Sequence, residues 1–137
     1  MTGAVVLDSS AIVALLIDAG PAGEWVASTA NDGFLAAPSL ALFEAANVLR
    51  RQQLAGRLER IEATLAHRDL LALPLQLWPY AALAPRAWDL RETLTLYDAT
   101  YVALAEILDA RLLTLDGRLS RASGPTCTIL TPPRKGE

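Results

Sequence analysis

The segment Tyr97–Leu119, YDATYVALAEILDARLLTLDGRL, decides the fold. Its first half keeps apolar residues on successive turns from Tyr97 to Asp109, which predicts a helix. Its second half opens with Leu112 to Leu115 (LLTL), a short apolar run with the length and flanks of a buried strand, closed by Asp116. A helix that leads almost directly into a buried strand is the joint of an α/β chain. Working outward, the same signature recurs. Ala4 to Leu7 (AVVL) reads as a strand ending at Asp8, and Ser9 or Ser10 stands ready to cap a helix from Ala11 to Ile17. The run from Asp18 to Pro21 breaks the chain, and Pro21 suits the first turn of a helix reaching about Ala30. After the turn Asn31-Asp32-Gly33 comes a strand from Phe34 to Ala37, then a long helix opened by Pro38-Ser39 and stopped by Gly56. Arg57 to Leu73 carries helical apolar spacing, Pro74 to Trp78 alternates as a strand, and Ala81 to about Thr93 reads as a helix. Beyond the turn at Ser123-Gly124-Pro125, Thr126 to Thr131 predicts a last strand. The domain is expected over residues 1–131, with 132–137 a frayed, flexible tail. Strands alternating with helices predict a central parallel sheet flanked by helices on both faces. Ligands of such sheets sit at the carboxyl ends of the strands, where Asp8 and Asp116 fall.

Composition narrows the class. A chain of 137 residues with 53% hydrophobic and 20% charged residues has room for one sizeable core and is not a disordered chain. The longest apolar run, Ala11 to Ile17, is far short of the roughly 20 residues a bilayer crossing needs. No basic n-region or cleavage site marks the N-terminus as a secretory signal, so a cytoplasmic protein without a membrane partner is expected. The single Cys127 excludes a disulfide scaffold and a cysteine zinc site. Net charge is −3, which alone disfavours nonspecific binding to nucleic acid. Eleven of the twelve basic residues are nevertheless Arg, the better fork for phosphate. If four acids belong to a cation site, the rest of the chain carries −3 + 4 = +1. Charge therefore leaves the partner open.

The informative acids are those in apolar surroundings. Glu44 has Leu40, Ala41 and Val48 as helical neighbours, and Asp98 has Leu94, Thr95, Tyr101 and Val102. Asp8 and Asp116 end strongly apolar strands. An ionised carboxylate is rarely buried without compensation, and Lys135 and His67 are the sole Lys and His. A hard divalent cation, magnesium or manganese, is the natural partner for an all-oxygen set, and the absence of His and Cys donors disfavours zinc. Without it, two carboxylates about 5 Å apart repel by roughly 3 kcal/mol at an effective dielectric of about 20. Such a site suits phosphodiester hydrolysis: the cation activates a water and stabilises charge at phosphorus, and a carboxylate positions that water.

Each residue also has a plainer reading. Asp8 serves equally as a helix cap, Asp116-Gly117 as an ordinary turn, and Asp98 as the partner of a distant Arg. Asn47, three residues after Glu44, is placed either to hydrogen-bond it or to sit at a polar helix edge. Trp25, Trp78 and Trp88 read as core or interface, His67 as a solvated surface residue and Cys127 as a small core residue. Arg86, Arg91 and Arg118 are candidates for holding a nucleic-acid backbone.

Four stretches together resemble the PIN-domain ribonucleases, and within them the VapC toxins of type II toxin–antitoxin pairs: VVLDSSAIVALL, SLALFEAANVLRR, YDATYVALAEIL and LLTLDGRL. The resemblance spans roughly residues 4 to 131. It implies magnesium- or manganese-dependent endonuclease action on RNA, with Asp8, Glu44, Asp98 and Asp116 matching the family's metal-binding and catalytic acids. It also implies a homodimer and a VapB-type antitoxin that lies across the toxin. Rival readings are a PIN nuclease of RNA processing, a metal-dependent phosphoacceptor domain and a non-catalytic binding module. A phosphoacceptor domain needs a Lys near its phosphate, and the sequence offers Lys135 alone.

Overall fold

The computed structural model describes residues 3–134. The tail expectation thus falls partly outside the described residues, and Pro132 to Arg134 carry no helix or strand. Five parallel strands form one sheet in the order β3-β2-β1-β4-β5: β1 Ala4–Leu7, β2 Phe34–Pro38, β3 Leu75–Trp78, β4 Arg111–Leu113 and β5 Ile129–Leu130. Seven helices connect them: α1 Ser9–Ile17, α2 Pro21–Thr29, α3 Ala41–Leu54, α4 Arg60–Ala72, α5 Tyr80–Asp89, α6 Leu96–Leu108 and α7 Gly117–Ser120.

Val5, Val6 and Leu7 are all buried although successive strand residues face opposite ways. Both faces of the sheet are therefore covered, as in a parallel sheet wrapped by its own crossovers. Helix α6 packs on β1, β2 and β4, and α5 packs on α6. Seven consecutive residues of α6, Ala99 to Ala105, are buried, so this helix runs through the core rather than over it. Local chemistry sets the element ends. Pro21 opens α2. Glu59 and Glu62 form a reciprocal capping box on α4. Thr95 caps α6, and Asp109 ends it in the left-handed region at φ 50°.

The structure revises several expectations. Asp8 itself caps α1, accepting from the Ala11 amide, so the helix begins at Ser9. Pro38 finishes β2 instead of opening α3. Helix α5 stops at Asp89, four residues early, and the chain turns so that Thr95 can start α6. The last strand shrinks to Ile129–Leu130 because it lies at the sheet's edge, paired through Leu112↔Ile129 and Leu113↔Leu130 alone.

Gly23 is required where α2 crosses α1. A Cβ there falls 1.8 Å from the Asp18 carbonyl oxygen and 2.8 Å from that of Ala14, both backbone atoms that cannot swing aside. Gly23→Ala is expected to cost at least about 2 kcal/mol by overpacking. A lowered midpoint in urea unfolding, with the slope unchanged, checks it.

Candidate active site

Parallel pairing brings the carboxyl ends of β1 and β4 side by side. Leu7 pairs with Leu113, and the Asp8 amide donates to the Leu113 carbonyl at 3.1 Å. The next residue of each strand then meets: the Thr114 hydroxyl donates to Asp8 Oδ2. Asp8 Oδ1 accepts from Ser10 Oγ at 2.6 Å and from the Ala11 amide at 2.9 Å. Ser10 Oγ in turn accepts from the Leu115 amide at 3.0 Å, and Thr114 Oγ1 from the Asp116 amide at 2.9 Å. The loop after β4 is thus stitched to the loop after β1. Asp8 is only 7% exposed, and burial raises its carboxyl pKa despite three hydrogen bonds that oppose the shift.

Two core helices supply the other acids. Glu44, in the first turn of α3, is half-buried and accepts at 2.6 Å from the Tyr101 hydroxyl of α6. Burial raises its pKa, and the charges of Asp98 and Asp8 push it further. Burial together with Glu44 pushes the Tyr101 phenol up, so that hydroxyl stays protonated and donating. Asp98, in the first turn of α6, is raised by burial and then by the charge of Asp116. Asp116 caps α7 by accepting from the Arg118 amide at 2.9 Å. Its carboxylate is also gripped by the Arg118 guanidinium through Nε and Nη2, at 3.2 and 3.1 Å, and this pair lowers its pKa.

All four expected acids are therefore electrostatic neighbours at one edge of the sheet, linked as Asp8–Asp98, Glu44–Asp98, Glu44–Asp8 and Asp98–Asp116. Asp98 and Asp116 line a cleft of about 330 Å³, while Glu44 opens onto a neighbouring groove. Three of the four hold protons more tightly than free carboxyls, chiefly because they are buried and secondly because they face one another. The donor set is all oxygen and suits a hard divalent cation. Among the described residues no three of these acids are gathered closely enough to share one ion as they stand. Glu44 is turned onto Tyr101, and Asp116 onto Arg118.

The plain reading of Asp8 holds as well, since it caps α1, whereas Asp116, read as a turn residue, caps the short helix α7. The arginine candidates fare differently. Arg86 is committed to Glu106 at 2.6 Å and to the Gly124 carbonyl at 2.9 Å, so it braces the fold and is corrected as a nucleic-acid contact. Arg91 lies 4.6 Å over the Trp88 ring and donates to the Trp88 carbonyl. Arg118 alone of the three stands at the site. Asn47 is exposed, and the hydrogen bond to Glu44 comes from Tyr101 instead. The sequence reading missed Tyr101, Thr114 and Ser10 as supports. The available signal for Tyr101 was a phenol three residues after Asp98 in an otherwise apolar helix.

A family model described as PIN domain matches residues 5–125. Ribonuclease VapC9 of Mycobacterium tuberculosis is 36% identical over 130 residues, covering 95% of this chain and 99% of that relative. Ribonuclease VapC12 of the same species is 35% identical over 125 residues, covering 91% and 96%. A solved structure of VapBC2 from Rickettsia felis, bound to a DNA fragment from their promoter, superposes with a TM-score of 0.68, at 14% identity and coverage of 95% of this chain and 99% of that one.

The raised carboxyls carry a signed consequence. Asp8, Glu44 and Asp98 bind protons more tightly folded than unfolded, so at neutral pH their ionisation works against the fold, and acidification through their raised pKa values relieves it. Asp116 and Glu106, both lowered, add stability above their unfolded pKa that is lost as pH falls. Asp98→Asn in metal-free protein is expected to gain of order 1 kcal/mol after solvent screening, roughly 3 °C in Tm at pH 7. The gain should vanish as pH falls through the Asp98 value. Tm measured against pH for both proteins checks the sign.

Proposed function

The chain belongs to the PIN-domain family, among the VapC ribonucleases, and from that premise we propose that Asp8, Glu44, Asp98 and Asp116 form the site at which it hydrolyses RNA phosphodiesters. It is an endoribonuclease, the toxin of a type II toxin–antitoxin pair. The observation that carries the site assignment is the group of three raised carboxyls, mutually repelling, beside a fourth neutralised by Arg118.

The residues divide the work by position. Asp8 is held rigid by Ser10, Thr114 and the Ala11 amide, which fixes where its lone pairs point. Asp98 and Asp116 line one cleft and Asp8 lies within electrostatic reach of Asp98, so these three would hold the cation once their side chains turn toward it. A bound magnesium or manganese ion would supply an acidified water and charge stabilisation at phosphorus. Glu44 completes the set, as a further ligand or by orienting the attacking water, and Tyr101 sets its direction. The raised pKa of Glu44 suits a group that takes a proton from water. Arg118, two residues from Asp116 and highly exposed, is free to swing to an RNA phosphate once a cation replaces it.

Cleavage of RNA places this work in the cytoplasm, and among the described residues no single helix is long and apolar enough to cross a membrane. A VapB-type antitoxin belongs to the same reading: an Arg from its chain complements carboxylates left short of cations. A homodimer is the expected assembly, which light scattering on the purified chain reads directly. A processing nuclease differs from a toxin in the cell. Induced expression should arrest growth, co-expression of the partner should relieve the arrest, and neither effect is expected of a processing enzyme.

The chemical test uses isosteric variants. Asp8→Asn, Glu44→Gln, Asp98→Asn and Asp116→Asn should each lower RNA cleavage about 10²-fold or more with native circular dichroism. Chelation with EDTA should abolish wild-type cleavage, and magnesium or manganese should restore it. The same ions should raise the Tm of wild type and much less that of Asp98→Asn. Wild-type cleavage rates in Asp98→Asn, or undiminished cleavage in EDTA, would overturn the assignment.

A further inference from the structure

We propose that Phe43 and Tyr97 form a stacking platform for an unpaired RNA base next to the hydrolytic carboxylates, with Arg50 holding a neighbouring phosphate. The inference rests on the reading of the chain as a ribonuclease and adds how it seats its substrate. Each ring belongs to the residue immediately before a site acid: Phe43 before Glu44 and Tyr97 before Asp98. Both open the first turns of their helices, α3 and α6, and both line one groove of about 850 Å³ that also contains Glu44 itself. The rings are left in water, Phe43 at 81% exposure and Tyr97 at 61%. A phenylalanine four-fifths exposed contributes little to its own fold. Its neighbours Ala41 and Ala45 carry the buried face of α3.

Two features choose RNA over a purely apolar occupant. Arg50 and His67 line the same groove. Arg50 takes part in none of the ion pairs that occupy Arg86, Arg111 and Arg118. Arg50 lies two turns along α3 from Phe43, so the groove carries aromatic surface at the carboxylate end and, farther along, a positive charge with no ion pair among the described residues. Aromatic faces with a cation beyond them suit single-stranded nucleic acid, whose bases stack on rings while Arg meets the backbone. A paired base cannot offer its face to a ring, so the platform selects unpaired segments: loops, bulges and ends.

The experiment is a cycle between protein and RNA. The ring deletions Phe43→Leu and Tyr97→Leu keep an apolar side chain, and Arg50→Gln removes the charge. Binding is measured to a single-stranded oligoribonucleotide carrying 2-aminopurine or an abasic ribose at successive positions, in an Asp98→Asn background so that the strand stays intact. Cleavage of the unmodified strand is followed separately in the Asp98 protein. Each ring deletion should weaken binding roughly tenfold, the scale of one base–aromatic stack. The loss should disappear for the strand that is abasic at one position, and 2-aminopurine at that position should be quenched by the unaltered protein and not by the ring variants. In the cleavage assay KM should rise with kcat nearly kept, and the salt dependence of binding should flatten in Arg50→Gln. Wild-type cleavage with unchanged KM in both ring variants overturns the platform while leaving the nuclease intact. Ring variants that cleave and bind RNA normally but lose self-association or antitoxin binding overturn it in favour of a protein interface. If the unaltered protein cleaves no RNA, the nuclease reading falls and the platform with it.

Discussion

Mutual repulsion among carboxylates at the sheet's carboxyl edge is the constraint around which this fold is arranged. Each acid stands at the start of a helix. Asp8 caps α1, Asp116 caps α7, and Glu44 and Asp98 sit in the first turns of α3 and α6. Helix N-termini present unpaired amides and the positive end of the macrodipole, so they are the cheapest places in an α/β fold to hold negative charge. The magnitudes show that this is not enough. A helix terminus is worth roughly 0.3–1 kcal/mol to a nearby anion. Two carboxylates about 5 Å apart oppose each other by roughly 3 kcal/mol at an effective dielectric of about 20. Burial adds to this repulsion and is the larger cause of the raised pKa values of Asp8, Glu44 and Asp98. A cation at this edge would relieve both the cost of burial and the repulsion.

Holding repelling groups in place requires a rigid mount, and α6 provides it. This helix crosses β1, β2 and β4 with Ala99 to Ala105 buried, so its axis is fixed by the core. Asp98 and Tyr101 lie one turn apart on it and therefore share a face. One helix thus contributes a carboxylate and also the hydroxyl that aims a second carboxylate, Glu44, from α3. The loops after β1 and β4 are joined in the same spirit through Ser10 and Thr114. Positioning residues of this kind act by geometry, and the small hydroxyls do so without adding charge to a crowded site.

What the sequence reveals and what it hides follow from the range of the interactions. The strands and helices were legible because apolar period and turn chemistry are local signals, and the four acids stood out as candidates because a charge in an apolar run violates that pattern. Their partners were not. Tyr101 meets Glu44 across 57 residues of chain, and Thr114 meets Asp8 across 106. No spacing rule links such pairs; they become neighbours through the sheet order, which places β4 beside β1. The short α7 was hidden for a different reason. Asp116-Gly117 reads as a turn, and a turn whose Asp accepts from the amide two residues on is also the first step of a helix. The role of Arg86 was hidden in the same way as those of Tyr101 and Thr114, because its partner Glu106 lies 20 residues on in a different helix.

The Arg86–Glu106 and Asp116–Arg118 pairs separate structure from function by what else each partner holds. Glu106 is only 14% exposed in its side chain and also accepts from the Thr126 amide at 2.8 Å, while Arg86 reaches the Gly124 carbonyl. That pair ties α5, α6 and the approach to β5 together, and removing either member strands the other among committed groups. The Asp116–Arg118 pair closes within a single turn, its guanidinium 86% exposed. Solvent screens it, and breaking it releases Arg118 into water rather than into a low-dielectric interior, so it contributes little to stability. An exchangeable partner is what a hydrolytic site needs at this position. The guanidinium neutralises Asp116 as the protein stands, and under the proposed assignment it would yield at small cost to a stronger cation and become available for a phosphate. The same bidentate geometry that would be a structural clamp in the core is, at the surface, a reversible one.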